Sequence, residues 1–247
     1  TGTNRNSEWE WERWFDEALR PVIQQMPIVP TDGNHDDSEN LNYTYHFNTD
    51  NQFKENAQVK PQFDGTTYSF MYGDVLFLVY SLQDYWKGAY SLSTLTSTYL
   101  TNDVGNWFRE QVDAHPEAKW RVALVHKNIF SGSSHQEDEE TPLFRAAMLP
   151  IMKECEIDLM LQGHDHCYEV IGPVNPDTRK PILEAIKDLE PTVLSASRNK
   201  GGTFTVNDGT LYFIGATCGT KRYNPNPKTV MEADFDKHKV ENYYDLF

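Results

Sequence analysis

Three short stretches of the 247-residue sequence carry side chains suited to chemistry: Asn34-His35-Asp36, an isolated His126, and His164-Asp165-His166. Imidazole nitrogens and an amide oxygen are donors for a transition metal, and a histidine beside a carboxylate can move a proton. A lone histidine in a loop is ordinarily just hydrogen-bonded there. Four histidines and an asparagine, each directly after a short apolar run, are harder to dismiss, because ligand sites of α/β proteins gather at the carboxyl ends of strands. His164 and His166 are two residues apart, which puts both side chains on one face if the backbone is extended. That spacing favours a shared metal site, for which imidazole suits Zn, Fe, Mn or Co rather than Ca.

The elements that must position these residues can be read from periodicity. Residues 8–25 have apolar side chains at Trp11, Trp14, Phe15, Ala18, Leu19, Val22 and Ile23, a helical spacing. Pro27-Ile28-Val29-Pro30 reads as a short strand running into Asn34. Residues 68–80 alternate on either side of Gly73-Asp74, the pattern of a hairpin. Residues 95–114 read as a helix, 120–125 as a strand delivering His126, and 141–154 as a helix with an internal kink at Pro150. Strands are predicted at 157–161, leading to His164, at 167–171 and at 211–216. Helices alternating with short apolar strands predict an α/β architecture with a covered sheet. The polar stretches 37–66, 84–94 and 172–209 are predicted to be long loops around the site.

Composition narrows the classes of function. With 22 Lys+Arg against 37 Asp+Glu, the net charge is −15, and 13 Phe, 13 Tyr and 6 Trp supply the apolar mass of a folded core. Such an acidic chain does not grip nucleic acid through a general basic surface. No apolar run is long enough to span a bilayer, and three scattered cysteines make no disulfide framework. No His-Glu-x-x-His pentad occurs, and Gly215 to Lys221 lacks the spacing of a phosphate-cradling P-loop. Cys167 beside the histidines is expected to pack rather than ligate, and the acidic run Glu137 to Glu140 to be a solvated helix N-terminus.

Gly33-Asn34-His35-Asp36, then His126, then Gly163-His164-Asp165-His166, in that order, resemble the second half of the calcineurin-like metallophosphoesterase signature. The continuation Cys167-Tyr168-Glu169 is similar to the Gly-His-x-His-x-Tyr-Glu form of purple acid phosphatases and their bacterial relatives. Tyr68-Ser69-Phe70 followed by Gly73-Asp74-Val75, and the late Gly209-Thr210-Leu211-Tyr212, also resemble that branch.

This resemblance implies a two-sheet β-sandwich flanked by helices, a four-layer αββα fold, and two divalent or trivalent metal ions drawn from Fe, Zn or Mn. It implies that Asn34, His126 and His164 hold one metal and His166 the other. His35, with Asp36 holding its imidazole, would assist the leaving group while a metal-bound hydroxide attacks a small phosphate ester, mono- or diester. His135, on the Ser/Gly-rich loop after His126, would reach the substrate phosphate or stand as a solvated loop residue. Bound dications would let a chain of charge −15 accept an anion. The family's Asp-x-His and Gly-Asp motifs do not occur ahead of Asn34. The expectation is therefore a single metallophosphoesterase domain over residues 1–247, N-terminally incomplete with its first strands missing, that on its own binds the first metal poorly and turns over slowly or not at all. An inactive metal- or partner-binding domain of the same fold is the alternative. The resemblance also favours an exported enzyme, periplasmic or extracellular.

Overall fold

The computed structural model describes residues 8–18, 20–36, 42–47, 49, 65–82, 95–135, 138–174, 209–215 and 221–224. The chain divides into two compact units, Thr1–Lys127 and Asn128–Phe247. Of the predicted long loops, 84–94 and most of 37–66 and 172–209 lie outside the described residues, as does most of the Gly215 to Lys221 exit.

In the first unit the Trp-rich segment is helical as expected: α1 (Glu8–Arg13) continues through a π-type turn (Trp14–Ala18) towards α2 (Arg20–Ile23). Its apolar face closes on the short helix α3 (Asn42–His46), with Trp11 against the His46 ring at 4.8 Å and against the Phe47 ring at 5.8 Å. The hairpin is present as β1 (Tyr68–Tyr72) and β2 (Val75–Val79), antiparallel, with Gly73 at φ +59° in the turn, a conformation that costs glycine little. Phe70 and Phe77 face each other in register and stack at 5.0 Å.

A helical segment then crosses from β2 back to β3 (Trp120–Leu124), which lies parallel to β2. It consists of a π-type lead-in (Leu95–Val104) and α4 (Gly105–Ala114). Leu76, Leu78, Tyr80, Leu100 and Phe108 have no exposed surface, and the Tyr80 and Phe108 rings meet edge-on at 5.4 Å. These form the core of the first unit.

The second unit starts with a loop and then α5 (Glu140–Glu154), which continues past Pro150 and buries Phe144, Ala147, Met148, Ile151 and Met152. Its strands are β4 (Leu159–Gln162), β5 (Tyr168–Val174) and β6 (Thr210–Gly215), in the order β4-β6-β5, with β4 parallel and β5 antiparallel to β6. The fold is mixed α/β, as the alternating pattern predicts.

One expected strand is not there. Residues 27–30 make no ladder, and Ile28 and Val29 are each 36% exposed. Two prolines bracket only two residues that could donate to a neighbour, so the segment is too poor in N–H groups to join a sheet.

Candidate metal and phosphoester site

The coil leading to Asn34 is tied down by side chains instead of a ladder. Tyr68 Oη donates to the Pro30 carbonyl at 2.6 Å, and Ser81 Oγ donates to Asp32 Oδ2 at 2.8 Å. The motif itself is a closed turn: Asp36 N–H donates to Gly33 O and Gly33 N–H donates to Asp36 Oδ2, both at 3.0 Å. Asp36 thus shapes the loop and leaves His35 exposed at its apex. A Cβ on Gly33 would stand 3.1 Å from Asp36 Oδ2 and 3.2 Å from the His126 ring, so a side chain there would crowd both groups.

β3 ends at Leu124 and delivers His126 to this turn, where its Nε2 is 2.8 Å from Asn34 Oδ1. Burial pushes the imidazole pKa down to about 4, against the attraction of Asp36, so the ring is neutral at ordinary pH. A metal ligand must be neutral imidazole, and an amide oxygen beside it is a compatible second donor.

In the second unit, β4 ends at Gln162 and the chain turns sharply through Gly163 and His164. His164 has φ +66°, and Asp165 N–H donates to Gly163 O at 2.8 Å. The extended backbone that would align His164 with His166 is therefore absent. The His164 ring packs on His135, centroids 3.8 Å apart. His166 instead stacks on Tyr223 at 4.7 Å, and its Nδ1 donates to Lys221 O at 3.2 Å. A carbonyl can only accept, so the proton is on Nδ1 and Nε2 carries the lone pair, the tautomer a metal ligand needs. Desolvation and the Lys221 charge hold the His166 pKa below its ordinary value.

His135 lies on the loop before α5, with Nδ1 2.7 Å from Asp138 Oδ2. Ligand atoms of His135, Asp138 and His164 fall within 4.8 Å of one another, close enough for one cation. The stacked rings are inclined by only 27°, however, and imidazole lone pairs lie in the ring plane, so one ring must turn before both could bind the same ion. Asp138 is the residue that the sequence reading missed. The acidic run there is not simply solvated, since Asp138 engages His135 and Glu140 is buried. The available signal was the three-residue spacing from His135, which suits a side-chain pair at a helix entrance. Cys167 packs as expected, its Sγ 3.9 Å from Glu169 Oε2, and burial raises its pKa, which keeps the thiol protonated.

The structure thus joins Asn34 with His126 in one unit and His135 with His164 in the other. The fold and these residues define an α/β protein whose strand-end loops collect imidazole, amide and carboxylate groups. Residues 2–168 match the model of the calcineurin-like phosphoesterases, a family of metal-dependent enzymes, and the chain belongs to that family. An uncharacterized protein of Mycobacterium tuberculosis is 25% identical over 182 residues, covering 70% of this chain and 34% of that protein. Purple acid phosphatase 3 of Arabidopsis thaliana is 36% identical over 81 residues, 32% of this chain and 20% of the relative. The solved purple acid phosphatase PPD1 from yellow lupin (Lupinus luteus) seeds shares the fold, with a TM-score of 0.53 at 17% identity over 88% of this chain and 35% of that one. The chain therefore spans about a third or less of the length of these relatives.

Proposed function

We propose that this chain carries the metal-binding and proton-handling residues of a phosphoesterase that hydrolyses a small phosphate ester. The supporting observation is the half-buried, neutral His126 in contact with Asn34 Oδ1, on the family's own motif. Asn34, His126 and His164 are assigned to one metal and His166 to the other; Fe, Zn and Mn all suit this donor set. Bound metals supply positive charge to the phosphoryl oxygens and make water acidic enough to serve as the nucleophile.

The remaining steps belong to the chain's own residues. His35, exposed at the apex of the Gly33–Asp36 turn, protonates the leaving oxygen, and Asp36 keeps the turn closed so that His35 stays there. His135 hydrogen-bonds a phosphate oxygen through Nε2–H, with Nδ1 anchored on Asp138.

The test is hydrolysis of p-nitrophenyl phosphate by the 247-residue chain supplied with Zn²⁺, Mn²⁺ or Fe. His35→Ala is expected to keep the metal and lose the rate. Equal loss of metal would make His35 a ligand and overturn this assignment.

A further inference from the structure

Two buried carboxylates in the second unit have no part in the hydrolysis outlined above. Asp165, in the turn between β4 and β5, is 1% exposed, and Glu169, in β5, is 6% exposed. Both face residues 131–135. Ser131 Oγ donates to Asp165 Oδ2, and His135 N–H donates to Asp165 Oδ1 at 3.3 Å. Gly132 N–H donates to Glu169 Oε2 at 2.7 Å.

Ser131-Gly132-Ser133-Ser134 has no apolar side chain to seat it, and such a stretch loses much conformational entropy on ordering. What orders it is a set of hydrogen bonds to two buried carboxyl groups, Asp165 and Glu169. Gly132 suits this contact, since a Cβ there would lie 3.3 Å from Glu169 Oε2. Arg145 braces the same region from α5: its Nε donates to Ile129 O at 2.7 Å, and its guanidinium lies over the Phe130 ring. At the loop's far end Thr141 Oγ1 donates to His135 O at 2.8 Å.

We infer that Asp165 and Glu169 are positioning residues that set where the His135 imidazole stands, by holding the main chain and the Ser131 hydroxyl of its loop. The inference rests on the reading above that His135 meets the substrate. It adds that this histidine is placed from the β4–β5 side of the unit, so the turn bearing His164 and His166 and the loop bearing His135 are held by the same carboxylates.

Glu169→Ala removes the acceptor for Gly132, whereas Glu169→Gln keeps an oxygen there. Amide hydrogen exchange across residues 131–135 is expected to quicken by about tenfold in the Ala variant and return towards wild type in the Gln variant, with β6 unchanged. Gly132→Ala reaches the same contact from the loop side and serves if Glu169→Ala fails to fold. For p-nitrophenyl phosphate, Glu169→Ala is expected to raise KM about tenfold in the wild-type background and not further in a His135→Ala background. Unchanged exchange at 131–135, or KM effects that multiply independently, would overturn the inference. A wild-type chain that neither binds Zn²⁺, Mn²⁺ or Fe nor hydrolyses a phosphate ester would sink the phosphoesterase reading instead, and the exchange arm would still decide whether these carboxylates hold the loop.

Discussion

Half-buried His126 in the first unit and buried Glu169 in the second are both desolvated titratable groups next to candidate site residues, yet their protons respond in opposite senses. Burial pushes the His126 imidazole down to about 4, and burial pushes the Glu169 carboxyl up to about 7. The force is the same, since desolvation favours the uncharged form of each. The histidine reaches that form by losing a proton and the glutamate by keeping one. For His126 the unfolded chain binds more protons between pH 6.5 and about 4, so its contribution to stability is complete above 6.5 and lost as pH falls. For Glu169 the folded chain binds more protons between pH 4.5 and about 7, so its contribution is complete below 4.5 and lost as pH rises. His126 thus favours the folded state towards neutral pH, and Glu169 towards acid.

The largest expected effect contrasts the two candidate-site histidines not assigned to metal. His35→Ala in the first unit is expected to lower kcat by roughly 10²–10⁴-fold, the usual worth of a general acid, with metal content unchanged. His135→Ala in the second is expected to act mainly on KM, because it meets the ground-state phosphate as well as the transition state. Steady-state kinetics with metal analysis on both variants checks this. If both changes fell on KM alone, the division of labour between the two loops would break.

Next in size is the pH response of stability. Urea unfolding of the metal-free chain at pH 5 and pH 8 should show His126→Gln losing an acid-side penalty and Glu169→Gln losing an alkaline-side one. Relative to wild type, the first variant gains at pH 5 and the second at pH 8, whatever constant offset each substitution adds. The same sign in both would contradict the opposed proton counts.

A smaller effect tests how the first unit holds its loop without a ladder. Ser81→Ala removes one donor from the buried Asp32 carboxylate and should cost about 1–3 kcal/mol in unfolding free energy. A loss below a few tenths would mean that the coil before Asn34 is held by other means.

Much of this organisation was legible in the sequence, and the exceptions share a cause. The hairpin at 68–79, the helix at 140–154 and strand β6 were readable because their side chains alternate or repeat against a core. Residues 27–30 misled because apolar character alone does not make a strand when prolines remove its donors. The turn at His164 was unreadable because a positive φ at a non-glycine residue leaves no compositional mark, so the two-residue spacing implied an extended backbone that is not there. Asp138 was hidden in an acidic run whose helix-dipole explanation was sufficient by itself. Ligand types are written in the sequence, whereas the direction each ligand faces depends on loop hydrogen bonds that have no periodicity.

The smallest predicted effect is the sharpest control on the comparison. Tyr68→Phe removes only the hydroxyl that holds the Pro30 carbonyl, a neutral hydrogen bond worth about 0.5–1.5 kcal/mol. Burial and the neighbouring Asp32 raise the Tyr68 pKa further above its ordinary value, so the phenol stays protonated throughout the range in which His126 and Glu169 change charge. The loss should therefore be the same at pH 5 and pH 8, measured by urea unfolding alongside the two charged variants. A Tyr68→Phe cost that varied with pH as strongly as theirs would show that the tether and the nearby carboxylate titrate together, and the slope assigned to His126 would have to be shared with Asp32.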